Sequence, residues 1–412
     1  MTRTIVLVAV LATIPARADV IRDWTDIGLA SAANAKQPPA AQARSMAMVH
    51  VAMFEAINGT DGPYRPYLQN LPAAPKVAAA SVAGGRDGDG RAARAAAAAH
   101  VVLAALFAEQ KATLDGALEK SLAGLDAAAR EAASAEGRAI GQAVISLRAN
   151  DGSLAPNTFR PVTTPGKYVP TALPVGSTWG AVKPWTMAKG DQFRPPAPPD
   201  LRSKQWAADL NEIAAVGGKT STTRTPQQTE AARFWTMVGS AAYVQVIHDL
   251  ASRPGRTPVQ NARLYALWSM AIADSYISVF DAKYAYLLWR PITAIRNADQ
   301  DDNPATARDA AWEPLVDTPM HPEYPCAHCI NSAAAQAVLE AEFGAGNIGP
   351  FRSTSSTAPG VTHTWERLAD FQQEVSNARI WGGVHYRNSA VVGTEMGQRI
   401  GKLAVASALQ PK

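Results

Sequence analysis

Lys283-Tyr284-Ala285-Tyr286-Leu287-Leu288-Trp289-Arg290-Pro291 opens the part of the chain around which the rest is arranged. Pro325-Cys326-Ala327-His328 and Arg379-Ile380-Trp381-Gly382-Gly383-Val384-His385 complete it. Three cations and two imidazoles in this order are what a protein needs to hold a tetrahedral oxyanion beside an acid/base. Lys283 and Arg290 are seven residues apart. On an α-helix that is two turns, which puts both on one face of a helix that Pro291 is expected to stop. Such a pair is usually a solvated stripe, but the residues between them are almost all apolar or aromatic. After Pro325 the apolar-periodic run Ile330 to Phe343 reads as a helix whose N-terminal N–H groups and dipole favour a bound anion. His328, in that first turn, titrates in the range of a general acid/base. Gly382-Gly383 loosens the chain after Arg379, so Arg379 and His385 can turn toward one centre. Asn388 or Ser389 is the expected cap of the last helix.

Outward from this stretch the periodicity is helical almost everywhere. In residues 19 to 59, Met46, Val49, Met53, Phe54 and Ile57 recur at three- and four-residue steps. Helical patterning resumes from Ala92 to about Ala149, after a cluster at Gly84 to Gly90 that lacks phosphate-loop or calcium-loop spacing and reads as a plain turn. His50, Glu55 and His100 read as packed residues. Residues 203–216, 226–251, 260–289, 328–343, 364–381 and 389–408 are the later helices. Strand-like alternation is nearly absent, so the expected fold class is all-α, a packed helical bundle. Ten of the chain's 29 prolines fall between Asp151 and Asp200. They forbid a long helix there, and Trp179, Trp185 and Phe193 among them point to a segment that wraps the helical body. The chain thus divides into 1–18, 19–150, a proline-rich connection at 151–202, and a chemistry-bearing part at 203–412.

Thirty-nine basic against 35 acidic residues give a formal charge of +4, scattered along the chain. That excludes a nucleic-acid stripe or a polybasic membrane patch. Arg3, the apolar run Ile5 to Ile14 and Ala16-Arg17-Ala18 have the form of an export signal, and the run is too short to span a bilayer. A periplasmic or secreted protein is expected, with no transmembrane segment in the mature chain. Cys326 and Cys329 are the two cysteines. Three apart, they can close a small disulfide in an oxidising compartment or stay thiols in a reducing one, and without a second pair they make only half a zinc site.

In order and type, the three pieces resemble the signature of vanadium-dependent haloperoxidases and the type 2 phosphatidic acid phosphatase (PAP2) superfamily, K-x6-R-P, then P-S-G-H, then S-R-x5-H. Residues 44–58, the proline-rich segment and residues 224–235 look like the soluble bacterial haloperoxidase branch. The resemblance implies an all-helical bundle and vanadate as cofactor, with phosphate able to occupy the same site. It makes His385 the vanadium ligand or the nucleophile toward phosphorus, and His328 the acid/base. Lys283, Arg290 and Arg379 become the oxyanion-holding cations, with positions 326 and 327 at the anion. His321 falls near a residue that differs between bromo- and chloroperoxidases, which makes it the halide-side candidate and favours bromide.

Four positions depart from the pattern. Cys326 and Ala378 replace serines, Ala327 replaces glycine, and Ser389 stands where many phosphatases carry an aspartate that orients the histidine. Loss of that carboxylate tilts the reading toward a haloperoxidase using hydrogen peroxide and halide. The alternatives are an acid phosphatase acting on a small phosphate ester through a phosphohistidine, or a weakened oxyanion-binding homologue.

Overall fold

In the computed structural model of the chain, residues 19–68, 87–170 and 172–412 are described. The export-signal reading at 1–18 and the start of the glycine cluster lie outside them. The N-terminal helices are α1 (Val20–Asn34), α2 (Pro39–Asn58), α3 (Asp87–Leu106), α4 (Lys111–Ser121) and α5 (Ala127–Arg148). After the proline-rich segment come α6 (Lys204–Val216), α7 (Pro226–Phe234), α8 (Val244–Ala251), α9 (Pro258–Tyr286) and α10 (Pro291–Arg296). The last three are α11 (Ala327–Phe343), α12 (Leu368–Trp381) and α13 (Arg387–Ser407). Local chemistry sets their starts. Thr257 and Gln260 form a capping box ahead of α9, Thr225 and Gln228 do the same for α7, and each helix has proline at its first position.

The centre is α9, apolar on nearly every side and buried along most of its length. It packs against α2, α11 and α13. Contact between α11 and α13 runs through Gly393, Gly397 and Gly401, four residues apart on one face, and a Cβ on Gly397 would stand 2.1 Å from the Ile330 carbonyl. Backbone therefore meets backbone, which brings the start of α11 against the start of α13.

The proline-rich segment wraps the C-terminal half of α9. Asp274, fully buried on that helix, accepts hydrogen bonds from the Trp185 (2.7 Å), Thr186 (2.8 Å) and Met187 (3.2 Å) N–H groups and from the Thr186 hydroxyl (2.6 Å). Tyr168 N–H donates to Leu287 O at 2.7 Å, and Trp289 N–H donates back to Gly166 O at 3.0 Å. No described helix is long and apolar enough to cross a membrane.

Five expectations are corrected. The fold is mainly helical but not all-α, because β1 (Asn347–Ser355) pairs antiparallel with β2 (Ala358–Arg367), Phe351 opposite Trp365 and Ser353 opposite His363. The inward positions alternate as a strand's must, yet serine and histidine fill several of them, so hydrophobicity alone conceals the period. The 226–251 helix is broken at Trp235–Tyr243, where Gly239 takes a φ of +72°. The glycine cluster is not wholly a turn, since Asp87 to Gly90 begin α3. The final helix starts at Arg387 after Tyr386, which offers no side-chain cap, so neither Asn388 nor Ser389 caps it.

The fifth correction concerns Lys283 and Arg290. Leu287, in the left-handed conformation (φ 57°), ends α9 by donating its N–H to Lys283 O. Arg290 then becomes the N-cap residue of α10, and Pro291 starts that helix where the sequence suggested a stop. The two cations sit on different helices, and tertiary folding brings them together.

Candidate oxyanion-binding site

Lys283, in the last turn of α9, is fully buried, and its ammonium donates to the carbonyls of Pro322 (3.0 Å), Glu323 (2.7 Å) and Pro325 (2.5 Å). All three protons are used to pin the loop ahead of α11. Burial, then Arg290, push its pKa well below the usual lysine range, against the pull of Glu323.

Arg290 is the hub. Its Nε donates to His321 O (2.8 Å) and its Nη1 to Val384 O (2.9 Å). Nη2 lies 2.9 Å from His321 Nδ1, and Nη1 3.4 Å from His385 Nε2. Arg379, in the last turn of α12, donates from Nη1 to Trp235 O at 2.7 Å, while its buried Nε has no partner. Burial brings the pKa of each arginine down to about 10, so both remain charged at neutral pH.

His385 lies in the turn that Gly382-Gly383 opens. Gly383 has φ +78°, and a Cβ there would meet Gly217 O at 2.4 Å, so a side chain is excluded. Its Nδ1 is 2.7 Å from Glu323 Oε1, an oxygen that also accepts the Tyr386 N–H at 3.0 Å. An oxygen already accepting a backbone proton is the acceptor toward Nδ1 as well, which leaves the Nε2 lone pair facing Arg290. Burial and the Arg290 and Lys283 charges hold His385 neutral.

His328 sits in the first turn of α11 with Nε2 2.8 Å from Met237 O. A carbonyl only accepts, so Nε2 carries the proton and Nδ1 is bare in the neutral ring. Burial and Arg379 keep it neutral. His321 is half-buried, edge-on to Phe280 (5.3 Å between centroids), and with Nδ1 taken by Arg290 it presents Nε2–H.

Cys326 and Cys329 form a disulfide with 5.3 Å between Cα atoms, which decides between the two states the sequence left open. Cys326 Sγ caps α11 by accepting the Cys329 N–H (3.2 Å), and its own N–H goes to Ser389 O (3.2 Å). The bridged sulfur has no proton and the N–H is committed, so Cys326 is not the oxyanion donor expected of it. Ala327 is the first helical residue of α11 and has no positive φ, so it adopts the backbone without need of glycine. Its N–H belongs to the first turn, where the helix itself supplies no acceptor.

Lys283, Arg290, Arg379, His321, His328 and His385 are thus one cluster, and His385 feels the charge or ring of four of the others. Sequence reading missed Glu323. It is buried, burial raises its carboxyl to about 7 against Lys283, Arg290, the Tyr386 N–H and the Ser389 hydroxyl, and its second oxygen has no hydrogen-bond partner. The available signal was an acid in His321-Pro322-Glu323-Tyr324-Pro325, otherwise apolar, aromatic or histidine. The Trp235 and Met237 carbonyls were also missed, and a carbonyl carries no sequence signal. A cleft of about 330 Å³ lined by Arg22, His248, Asp249 and Arg352 shares no residue with this cluster.

The residues fit a tetrahedral oxyanion. Three buried cations face one buried carboxylate among the described residues, and the Arg379 Nε–H has nothing to donate to, an arrangement that a multiply charged anion would complete.

Residues 263–411 match the family model of the VCPO second helical-bundle domain. A bacterial vanadium-dependent iodoperoxidase has a similar structure at TM-score 0.81 and 22% identity, over 96% of this chain and 98% of that one. A bacterial vanadium-dependent chloroperoxidase in its holo form is similar at TM-score 0.71 and 18% identity, over 89% and 91%. An apo-type structure of a bacterial vanadium-dependent chloroperoxidase gives TM-score 0.70 and 15% identity, over 89% of this chain and 92% of that one. No curated protein matches by sequence. The second-domain match thus covers the whole cluster, and the fold is shared over nearly the full length with these solved haloperoxidase structures.

Proposed function

We propose that this chain is an exported vanadate-dependent haloperoxidase that oxidises halide with hydrogen peroxide. The observation that carries the reading is the charge balance of the buried cluster, in which three cations and a neutral histidine with a free Nε2 lone pair converge around a single carboxylate. Bound vanadate supplies Lewis acidity without changing oxidation state. His385 Nε2 would ligate it, while Lys283, Arg290 and Arg379 would neutralise its oxygens together with the first-turn N–H groups of α11 at Ala327. His328 Nδ1 would take up a proton from hydrogen peroxide. His321 Nε2–H stands on the halide side, with bromide the favoured halide. The similar structures are an iodoperoxidase and a chloroperoxidase, so iodide and chloride belong in the same assay.

Two further readings have an observation each. The Glu323–His385 hydrogen bond supplies the carboxylate whose absence argued against a phosphohistidine, which supports an acid phosphatase acting on a small ester, with His328 protonating the leaving group. The Cys326–Cys329 bridge removes a donor, which supports a weakened oxyanion-binding homologue.

The deciding experiment uses the mature protein. Bromination of a dimedone reporter is followed with vanadate, peroxide and bromide, beside hydrolysis of a chromogenic phosphate ester by the vanadate-free protein. Vanadate-dependent bromination lost in His385→Ala supports the haloperoxidase. Hydrolysis inhibited by vanadate, without bromination, replaces it with the phosphatase, and binding without turnover replaces both with the homologue.

A further inference from the structure

We infer that Glu323 is the positioning residue for His385, supplying from the loop ahead of α11 the carboxylate that the sequence following His385 lacks. This rests on the oxyanion reading of the cluster. The two residues are 62 apart in sequence, yet Oε1 lies 2.7 Å from His385 Nδ1 and 3.0 Å from Tyr386 N, so one oxygen grips two consecutive residues.

Its own placement is enforced from behind. Lys283 donates to the Glu323 carbonyl and to carbonyls two residues C-terminal and one N-terminal to it, which fixes the backbone the carboxylate stands on. The side chain is fully buried, so water does not compete for either oxygen.

The geometry has a chemical consequence. With Nδ1–H committed to Glu323, the ring has one tautomer and one orientation, and its lone pair at Nε2 is aimed at the guanidinium of Arg290, 3.4 Å away. A histidine that ligates or attacks through Nε2 needs both properties, and a partner on the other nitrogen is the usual means. Ser389 is then no deficit. Its buried hydroxyl helps hold the Glu323 pKa down, so the position an aspartate would occupy adjoins the glutamate that already serves from another element.

The geometry also makes the carboxylate transferable, and that gives the test. Glu323→Ala, Glu323→Gln, Glu323→Asp and the double variant Glu323→Ala/Ser389→Asp are compared with the parent protein. The His385 tautomer is read by ¹⁵N NMR without any oxyanion, and vanadate and phosphate affinities are read by calorimetry. The parent is expected to show Nδ1–H. Glu323→Ala should lose the single tautomer and weaken vanadate binding by about 10- to 100-fold, the usual effect of removing a ligand's hydrogen-bond partner. Glu323→Asp and the double variant should regain most of both. Where Glu323→Ala does not fold, Glu323→Gln keeps an acceptor and should retain the tautomer with a smaller loss of affinity.

An unchanged tautomer and affinity in a folded Glu323→Ala protein overturns the assignment. So does a loss that neither aspartate variant restores, which would mark the glutamate as merely structural. If the parent binds neither anion, the oxyanion reading fails by itself, and the tautomer measurement still decides whether Glu323 positions His385.

Discussion

His385 and Cys326 carry the predictions at the residue scale. Removing the His385 imidazole takes away the Nε2 lone pair that is directed at Arg290. His385→Ala is therefore expected to abolish vanadate binding, read by ⁵¹V NMR, whichever activity the protein has. Cys326 caps α11 with a sulfur that accepts but has no proton to give. In Cys326→Ser a hydroxyl takes the cap and can donate to an anion, and a hydrogen bond to a charged acceptor is worth roughly tenfold in affinity. Vanadate affinity should rise by about that factor, and equal binding by the two proteins would remove the disulfide from the account. The bridge closes so short a loop that its loss should cost little through chain entropy.

At the scale of elements, two contacts decide whether the cluster exists at all. Asp274 on α9 holds three backbone N–H groups and a hydroxyl of the proline-rich segment. Asp274→Ala leaves those buried donors unpaired and should destabilise the fold by about 3 kcal/mol. Urea unfolding gives that magnitude, and limited proteolysis should show new cleavage within 151–202 while α9 stays intact. Gly397 is the second contact. With the Ile330 carbonyl 2.1 Å from where its Cβ would be, Gly397→Ala must push α13 from α11, at a cost of about 2 kcal/mol or more. Because α11 carries His328 and α13 follows directly on His385, the same change should weaken vanadate binding in protein that remains folded. An unaltered unfolding midpoint would show that the helix pair relaxes without loss.

Over the whole molecule, the hairpin is tied to the helical body by a titrating pair. His363 on β2 lies 2.6 Å from Glu374 on α12, and Glu374 also accepts from Trp235 Nε1 (2.8 Å) and Trp365 Nε1 (3.0 Å). Burial is the largest influence on both and opposes charge, but for His363 the hydrogen bonds and charges of Glu374 and Glu230 together outweigh it and raise the pKa, and for Glu374 the bonds from His363, Trp235 and Trp365 with the His363 charge together outweigh it and lower the pKa. The glutamate's contribution is present above its unfolded pKa and fades as pH falls through the folded one. The histidine's is complete below its unfolded pKa and fades as pH rises through the folded one. The pair therefore stabilises most between about pH 4.5 and 6.5. The stability gap between the parent and His363→Gln should be wider near pH 5.5 than near pH 8, by urea unfolding at both. A gap independent of pH would remove the ion pair. The Trp235 carbonyl holds Arg379, so this tie also reaches the cluster.

Much of this was legible in the sequence, and what was legible is local. Helical periods reflect chemistry between residues a few positions apart, and the order of Lys283, Arg290, His328, Arg379 and His385 is written along the chain, so spacing and residue type record both. The hairpin escaped because serine and histidine occupy inward positions that a hydrophobic pattern would fill. The same limit hid the end of α9, set by the backbone conformation of Leu287, and the separation of Lys283 from Arg290 onto two helices. Only the tertiary structure decided which partners those side chains take. Glu323 reaches His385 across 62 residues, Arg290 reaches it across 95, and His328 finds a carbonyl 91 residues away. Pairing at such distances depends on how helices stack, and most of the partners are backbone carbonyls, which every residue carries and no residue type announces.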